Sequence, residues 1–236
     1  MLTRIVLLLA LALLTPAPAA ATVAPLPTCR YADQTASFDG DADWDDVVLD
    51  TAFRLPAGYT PGDLVAVTNA GVAVARSGMR LRTIVIADLQ ALDRAARRAG
   101  HRISIYSAYR SEAYQRGLYA AAVRAVGRTT ARLYSARPGH SEHQLGTAID
   151  IGTKGAGSPM TGDWAQTATG AWVNAHAWEY GFIRSYPRPR AGEGTRNPRS
   201  CYAYEPWHFR YVGRERAAAV HASTLTLREW LWATAH

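Results

Sequence analysis

The chain has 236 residues, of which 48% are hydrophobic, and its formal net charge is +7 at neutral pH. This length suits one domain with a sizeable core, and no internal repeat or low-complexity linker divides the chain. The basic charge favours anionic partners, but the arginines are scattered and no RNA-binding or zinc-finger pattern accompanies them, so we expect no nucleic-acid partner.

The first residues are organised like a secretory signal peptide. Residues 1–4 carry one positive charge, residues 5–14 form an apolar run, and small residues with proline follow. The apolar run is too short to span a bilayer, and small-x-small sequences suited to cleavage come after it. We therefore predict a signal peptide over residues 1–21 and an exported mature chain, with an uncleaved anchor as the alternative.

Residues 22–61 are rich in Pro, Asp and Gly and show no clear period, which predicts an N-terminal extension packed on the core. Their acidic run, residues 39–46, lacks the order of an EF-hand loop and is interpreted as a solvated surface loop. The two cysteines of the chain are Cys29, in this extension, and Cys201. In an oxidising compartment such a pair favours one disulfide, with two buried free thiols as the alternative.

The remaining chain, residues 62–236, alternates short strands and helices in its hydrophobic pattern. Helical spacing before Gly100 and after Ser111 predicts two helices with a strand between them, and Arg110 then lies at a strand-to-helix corner. The predicted elements, in chain order, are a strand at 64–67, a helix at 84–99, a strand at 102–107, a helix at 112–126, a loop at 128–142, a helix at about 163–180, a long loop at 184–200, a strand at 202–212 and a helical tail in two pieces at 214–235.

Two separated motifs contain the residues of a hydrolytic metal site. Pro138-Gly-His-Ser-Glu-His-Gln-Leu-Gly-Thr-Ala-Ile-Asp150 offers His143 and Asp150, and Glu205-Pro-Trp-His208 offers a glutamate and a second histidine. A separation of seven residues points two side chains to opposite faces of a flat strand. A turn at Gly146 and a break at Pro206 are therefore required if one ion is to be bound.

Three protein ligands with one open position are typical of a catalytic zinc site. His143, Asp150 and His208 would supply them, and Glu205 would remain free as the general base for the bound water. If Glu205 were a fourth ligand, the site would be closed and structural. His140 is interpreted as a rim residue, not a ligand, and His176 as a helix-surface residue.

The same motifs, with Ser107-Ala-Tyr-Arg110 and Gln115 before them and Phe209-Arg210 after them, resemble the VanY-type D-alanyl-D-alanine carboxypeptidases, which are zinc peptidases. The resemblance spans roughly residues 62–215 in the family's own order. It implies an α+β fold of the hedgehog/DD-peptidase type, with a small antiparallel sheet and helices packed around it. It also implies one Zn²⁺ bound by His143, Asp150 and His208, with Glu205 and Arg110 as catalytic residues. Arg110, Gln115 and Ser141 would bind substrate.

From this resemblance we predict a monomeric enzyme, secreted or associated with the anionic cell wall, that removes the terminal D-alanine from peptidoglycan stem peptides. The Gly-His-Ser-Glu-His sequence around Ser141 is not a nucleophile elbow, so no acyl-enzyme is expected. Two alternatives stay open. One is an endopeptidase or an L,D- or dipeptide-cleaving relative of the same fold, and the other is a non-enzymatic, zinc-stabilised wall-binding module.

Overall fold

The computed structural model describes residues 25–235, so the predicted signal peptide lies outside the described residues. The strands of this part are β1 Gln34–Thr35, β2 Phe53–Arg54, β3 Leu64–Ala66, β4 Ala73–Val74, β5 Arg80–Arg82, β6 Ile103–Ser107, β7 Ala148–Thr153, β8 Phe182–Arg184 and β9 His208–Tyr211. The helices are α1 Thr83–Arg98, α2 Glu112–Tyr134, α3 Ala168–His176, α4 Arg214–Ala222 and α5 Leu227–Ala235. No helix between residues 25 and 235 has the length and apolar character needed to cross a membrane.

A five-stranded sheet with the order β4-β6-β7-β9-β8 forms the centre of the fold. Neighbouring strands are antiparallel except β4 and β6, which run parallel. Two further sheets of two strands each pair β1 with β2 and β3 with β5. The architecture is α+β as predicted, but its main sheet carries a parallel strand at one edge.

Helix α1 and the central strands share one hydrophobic core. Leu89 and Leu92 recur at helical spacing, and they are fully buried in the same cluster as Ile105 of β6 and Ile151 of β7. Each such side chain stabilises the fold by about 1.5–3 kcal/mol through burial. The hydrophobic core therefore fixes the position of strand β7.

The N-terminal extension packs against the 138–150 motif. Val47, Leu49 and Leu55 form a separate buried cluster with Leu145, which lies between His143 and Asp150 in the chain. The extension is thus in contact with the segment that carries the candidate site.

Polar and covalent bonds also join this extension to the C-terminal part of the chain. Cys29 and Cys201 form a disulfide, which favours the paired interpretation over two free thiols. Asp50 is buried and accepts a hydrogen bond of 2.6 Å from the Arg228 guanidinium of α5. The two ends of the described chain are consequently linked on one side of the domain.

The sequence predictions were wrong at three places. The helix predicted at about 163–180 is α-helical only over Ala168–His176, with short 3₁₀ helices before and after it. Residues 128–134 are helical, not loop, because the chain resumes a helix after Gly127, whose φ of 77° and ψ of 157° break α2. The strand predicted from residue 202 begins only at His208, because residues 206 and 207, which include Pro206, form a turn. The predicted helices at 84–99 and in the tail are confirmed, within one or two residues at each end.

Candidate metal centre

Strands β7 and β9 bring the two motifs together. Asp150 of β7 is the cross-strand partner of His208 of β9 in their antiparallel register. Directly opposed residues project from the same face of a sheet. One residue from each motif is therefore placed side by side by the sheet itself.

His143 reaches the same place through a tight turn. It lies in a short 3₁₀ helix, Glu142–Leu145, that ends at Gly146 with a φ of 73°. A Cβ at Gly146 would come within 2.9 Å of side-chain atoms of Leu64 and Arg82, so glycine is required for both conformation and space. The break that the sequence predicts at Gly146 is present.

The three side chains offer ligand atoms that all lie within 4.8 Å of one another. His143 Nε2 is 3.4 Å and His208 Nδ1 is 3.2 Å from Asp150 Oδ1. The other ring nitrogen of His143, Nδ1, donates to the Ala108 carbonyl at 2.8 Å, which leaves Nε2 as a lone-pair nitrogen. This Nε2 is buried without a hydrogen-bond partner in the described structure. Such an atom is expected where a cation completes the site.

His208 is oriented by a buried carboxylate on its far side. Its Nε2 donates to Glu142 Oε2 at 2.8 Å, which turns Nδ1 toward Asp150. Glu142 in turn accepts from the guanidinium of Arg210 at 3.3 Å. Arg210 is fully buried, and it also donates to the backbone carbonyls of Val47 and Trp44. The N-terminal extension therefore helps to orient a candidate ligand.

Burial and neighbouring charges shift the pKa values of all three converging residues. Burial by itself lowers the pKa of His208, but its hydrogen bonds to Asp150 and Glu142 outweigh burial and raise the pKa to about 10. Burial and the nearby Arg110 lower the pKa of His143 to about 4. Burial opposes ionisation of Asp150, yet the two histidines hold the pKa of this carboxyl well below its usual range. At neutral pH Asp150 is therefore a carboxylate and His143 a neutral imidazole, which are the protonation states that metal ligands require.

Glu205 lies just before β9, in the turn that the His208 amide closes by donating to the Glu205 carbonyl. Its Oε2 is 3.9 Å from His208 Nδ1, and it stands outside the set of three converging ligands. Burial, together with Asp150 and Glu142, raises its pKa to about 7 against the opposing effect of His208 and Arg110. Arg110 approaches from the corner between β6 and α2, with Nη2 at 4.0 Å from Asp150 Oδ2. A free carboxylate and a fixed cation therefore flank the three ligands.

The other candidate residues are less directly placed. Gln115 is buried and donates through Nε2 to the Ala136 carbonyl at 2.8 Å, so it braces the chain leading to the motif. Ser141 is buried and immediately precedes the 3₁₀ helix. The rim interpretation of His140 is wrong, because its ring is fully buried and bonds to the Asp50 and Phe53 carbonyls.

Two functional neighbours were missed by sequence reasoning, Glu142 and Arg210. Their positions in the sequence could have indicated a role, because Glu142 directly precedes His143 and Arg210 follows His208 by two residues. Alternation along β9 places residues 208 and 210 on one face, and this could have indicated a shared carboxylate. His176 is an exposed helix residue bonded to Glu179, as expected.

Two imidazoles, one carboxylate ligand and an adjacent unliganded glutamate on an α+β sheet define the class of metal-dependent hydrolases. The sequence of residues 78–214 matches the family model described as "VanY: D-alanyl-D-alanine carboxypeptidase". The chain belongs to this VanY family.

Individual relatives agree with this membership. The protein is 33% identical over 184 residues to YodJ of Bacillus subtilis. The matched region covers 78% of this chain and 65% of YodJ. It is 32% identical over 208 residues to a D-alanyl-D-alanine carboxypeptidase of Enterococcus faecalis, covering 84% of this chain and 69% of the relative. The chain thus spans about two thirds of the length of these curated relatives.

Solved structures share the fold. The LdcB LD-carboxypeptidase has a TM-score of 0.68 at 32% identity, over 78% of this chain and 84% of that one. The D,D-pentapeptidase VanY from a VanB-type vancomycin resistance cassette, solved with Zn(II), has a TM-score of 0.62 at 30% identity, over 80% and 99%. The predicted hedgehog-like α+β fold is confirmed by these neighbours, and they identify the chain as a carboxypeptidase.

Proposed function

We propose that this protein is an exported zinc D,D-carboxypeptidase that hydrolyses the terminal D-Ala-D-Ala bond of peptidoglycan stem peptides. The observation that carries the proposal is the convergence of His143 Nε2, His208 Nδ1 and an Asp150 oxygen, with the histidine nitrogen buried and without a partner. Two nitrogens and one oxygen suit Zn²⁺, and three ligands leave a position for water. The VanY relative solved with Zn(II) supports this choice of ion.

Glu205 is the general base in this proposal. A bound zinc ion would polarise the substrate carbonyl and acidify a water molecule. Glu205 lies beside the ligands without being one of them, so its carboxylate is free to take the proton of that water and deliver it to the departing amine. Burial raises the pKa of Glu205 above that of an ordinary glutamate, which makes its carboxylate a stronger base for the proton of the water.

Arg110, at the corner between β6 and α2, is assigned to stabilising the substrate at the metal centre. Its backbone N–H donates to the His143 carbonyl at 3.2 Å, and its guanidinium approaches Asp150, so both ends of the residue are fixed to the metal centre. A guanidinium cannot lose its charge at neutral pH, and its planar donors fit a developing oxyanion or a carboxylate. Ser141 and Gln115 are assigned to substrate binding or to bracing the pocket.

The remaining parts of the proposal concern place and assembly. Secretion rests on the signal-peptide pattern of residues 1–21, and the formal charge of +7 favours retention near an anionic wall. We propose one zinc ion per chain, because the described residues contain one group of three converging ligands, and we propose that the protein is a monomer.

The decisive experiment compares wild type with Glu205→Gln. Both should bind one equivalent of zinc by metal analysis, but alanine release from a pentapeptide ending in D-Ala-D-Ala should fall about 10²–10⁴-fold, the usual contribution of a general base. The exposed Glu215 provides a matched control, Glu215→Gln, with wild-type turnover expected. Full activity in Glu205→Gln would refute the assignment of the base. Zinc-loaded wild-type protein that binds the peptide without releasing alanine would support a wall-binding module instead.

A second candidate is an L,D-carboxypeptidase, because the LdcB structure matches the chain at a TM-score of 0.68. Mass spectrometry distinguishes the two activities. Loss of one alanine from the pentapeptide supports D,D specificity. Loss of alanine only from a tetrapeptide that ends in an L-residue followed by D-alanine supports the alternative, and release of larger fragments indicates an endopeptidase.

A further inference from the structure

A basic pocket adjoins the metal centre on the side of Arg110. It has a volume of about 290 Å³, and its lining includes Arg76, Arg80, Tyr109, Arg110 and Tyr114. No acidic residue of the described chain lines it. Arg110 belongs to both places, since the same side chain lies 4.0 Å from Asp150.

Aromatic rings hold the two outer guanidiniums in position. Arg76 donates to the Tyr114 hydroxyl at 3.0 Å, and its Cζ lies 5.6 Å from the centre of that ring. Arg80 lies over Tyr109 at 5.8 Å. These contacts orient the cations but do not neutralise them, so donors remain for a ligand.

Neither Arg76 nor Arg80 forms an ion pair with any residue between 25 and 235. Arg82 lies on the same strand β5 and pairs with Asp63 at 2.7 Å. The chain therefore neutralises one arginine of this strand and leaves another with free positive charge beside the site.

The first turn of α2 contributes to the same pocket. Ser111 caps this helix by accepting from the Tyr114 amide at 3.1 Å, so the positive end of the helix dipole lies at the pocket. The carboxylate of Glu112 is directed elsewhere, because it bonds to Arg54, Arg116 and the Gly58 amide. Three guanidiniums and a helix N-terminus thus act together on whatever enters.

The pocket is open at its outer end. Arg76 and Arg80 are exposed and Tyr114 is 45% exposed, whereas Arg110 at the inner end is partly buried. A pocket that binds only the C-terminal residue of a peptide is closed at its end. A pocket that binds the chain on the amino side of the cleaved bond has to be open, because that chain continues beyond it. This shape fits the part of the substrate on the amino side of that bond.

We propose that this pocket binds a second carboxylate of the peptide substrate, located on the amino side of the bond that is cleaved. The inference rests on the proposed function. It defines the preferred substrate as an acidic stem peptide, in which this carboxylate is free and not amidated.

The test uses two peptides ending in D-Ala-D-Ala that differ only in having a carboxylate or a carboxamide at one upstream position. Wild type should prefer the carboxylate peptide about tenfold in kcat/KM, since each exposed charge pair contributes up to about 1 kcal/mol. In the double variant Arg76→Gln, Arg80→Gln this ratio should fall to near one. Raising the salt concentration should also lower the wild-type ratio, because exposed charges are screened.

The matched control removes two arginines from the exposed surface of α1, Arg94→Gln with Arg98→Gln. It changes the net charge equally and should keep the wild-type ratio. The same two peptides are also titrated calorimetrically into the Glu205→Gln protein, which measures the preference for the carboxylate without turnover.

The outcomes separate the two proposals. Absence of alanine release from both peptides contradicts the proposed function, whereas a retained preference in the calorimetric titration still supports the pocket. Equal binding of both peptides overturns the pocket proposal even if both are cleaved. Equal binding together with weaker retention of the double variant on an anionic wall polymer assigns the arginines to the wall instead, and it also overturns the proposal.

Discussion

The two sides of the candidate site are built in opposite ways. On the ligand side, His143, Asp150 and His208 are at most 3% exposed, and second hydrogen bonds orient both histidines. On the substrate side, Arg76 and Arg80 are exposed and are oriented only by contacts with aromatic rings. Metal binding therefore depends on a packed interior, and substrate preference depends on charges that solvent can reach. Substitutions on the two sides should consequently affect different measurements.

The largest effect is expected from Asp150→Asn on the ligand side. The change removes the carboxylate that faces both histidines, so zinc affinity should fall by more than the ~10–100-fold loss typical of neighbouring outer-shell groups, and activity should be lost with it. Competition with a chromophoric chelator measures this affinity. The exposed Asp39 gives the control Asp39→Asn, with unchanged affinity. Zinc binding of wild-type strength in Asp150→Asn would remove this residue from the ligand set.

A smaller loss is expected from Glu142→Gln, which tests whether the buried shell tunes the metal. The amide can still accept from His208 but carries no charge, and Arg210 loses its carboxylate. Zinc affinity should fall by about 10–100-fold. Equilibrium dialysis of this variant beside Glu215→Gln measures the difference, and equal affinities would show that Glu142 only fills space.

Zinc affinity should also depend on pH. The pKa of His208 is raised to about 10, so a proton occupies this ligand throughout the neutral range and must leave when the ion binds. Lower pH therefore weakens binding, by about tenfold per pH unit for one displaced proton. His143, with its pKa lowered to about 4, adds nothing above pH 5. Titrations between pH 7 and 9 check the slope, and a flat profile would contradict the protonated His208.

The smallest effect is expected from Gln115→Met, on the substrate side. It removes the donor to the Ala136 carbonyl, and stability should fall by about 1–3 kcal/mol if that carbonyl stays buried without a partner. Turnover should fall only a few-fold, with zinc affinity unchanged. Thermal unfolding and chelator competition separate the two quantities, with Gln90→Met on α1 as the control. A loss of zinc affinity equal to that in Glu142→Gln would show that the two sides are not independent.

The sequence was most informative where the chain is locally constrained. Gly146 and Pro206 predicted the two breaks, because glycine permits a positive φ and proline cannot donate a ladder hydrogen bond. The motifs and the family resemblance predicted His143, Asp150 and His208 as one cluster. It was less informative about contacts between distant segments. The bonds of Arg210 to the Val47 and Trp44 carbonyls join residues more than 160 positions apart, and no local pattern specifies such a partner.

Gly127 illustrates the remaining difficulty. A glycine after a helical run is a normal stop signal, and here it does interrupt the helix. The chain nevertheless resumes a helix to Tyr134, and Ala131 within it is buried. Tertiary packing thus decided the conformation of a segment whose composition is typical of a loop.

The link between Cys29 and Cys201 closes a loop of 172 residues that contains most of the sheet and the 138–150 motif. Cys201 is synthesised 172 residues after Cys29, so the disulfide can form only when most of the domain has been made. Arg228, which bonds to Asp50 and to the Pro27 carbonyl, arrives later still. Contacts between residues so far apart in the chain slow folding. A chain that ends before residue 201 cannot form this disulfide, and one that ends before residue 228 also lacks the bonds of Arg228.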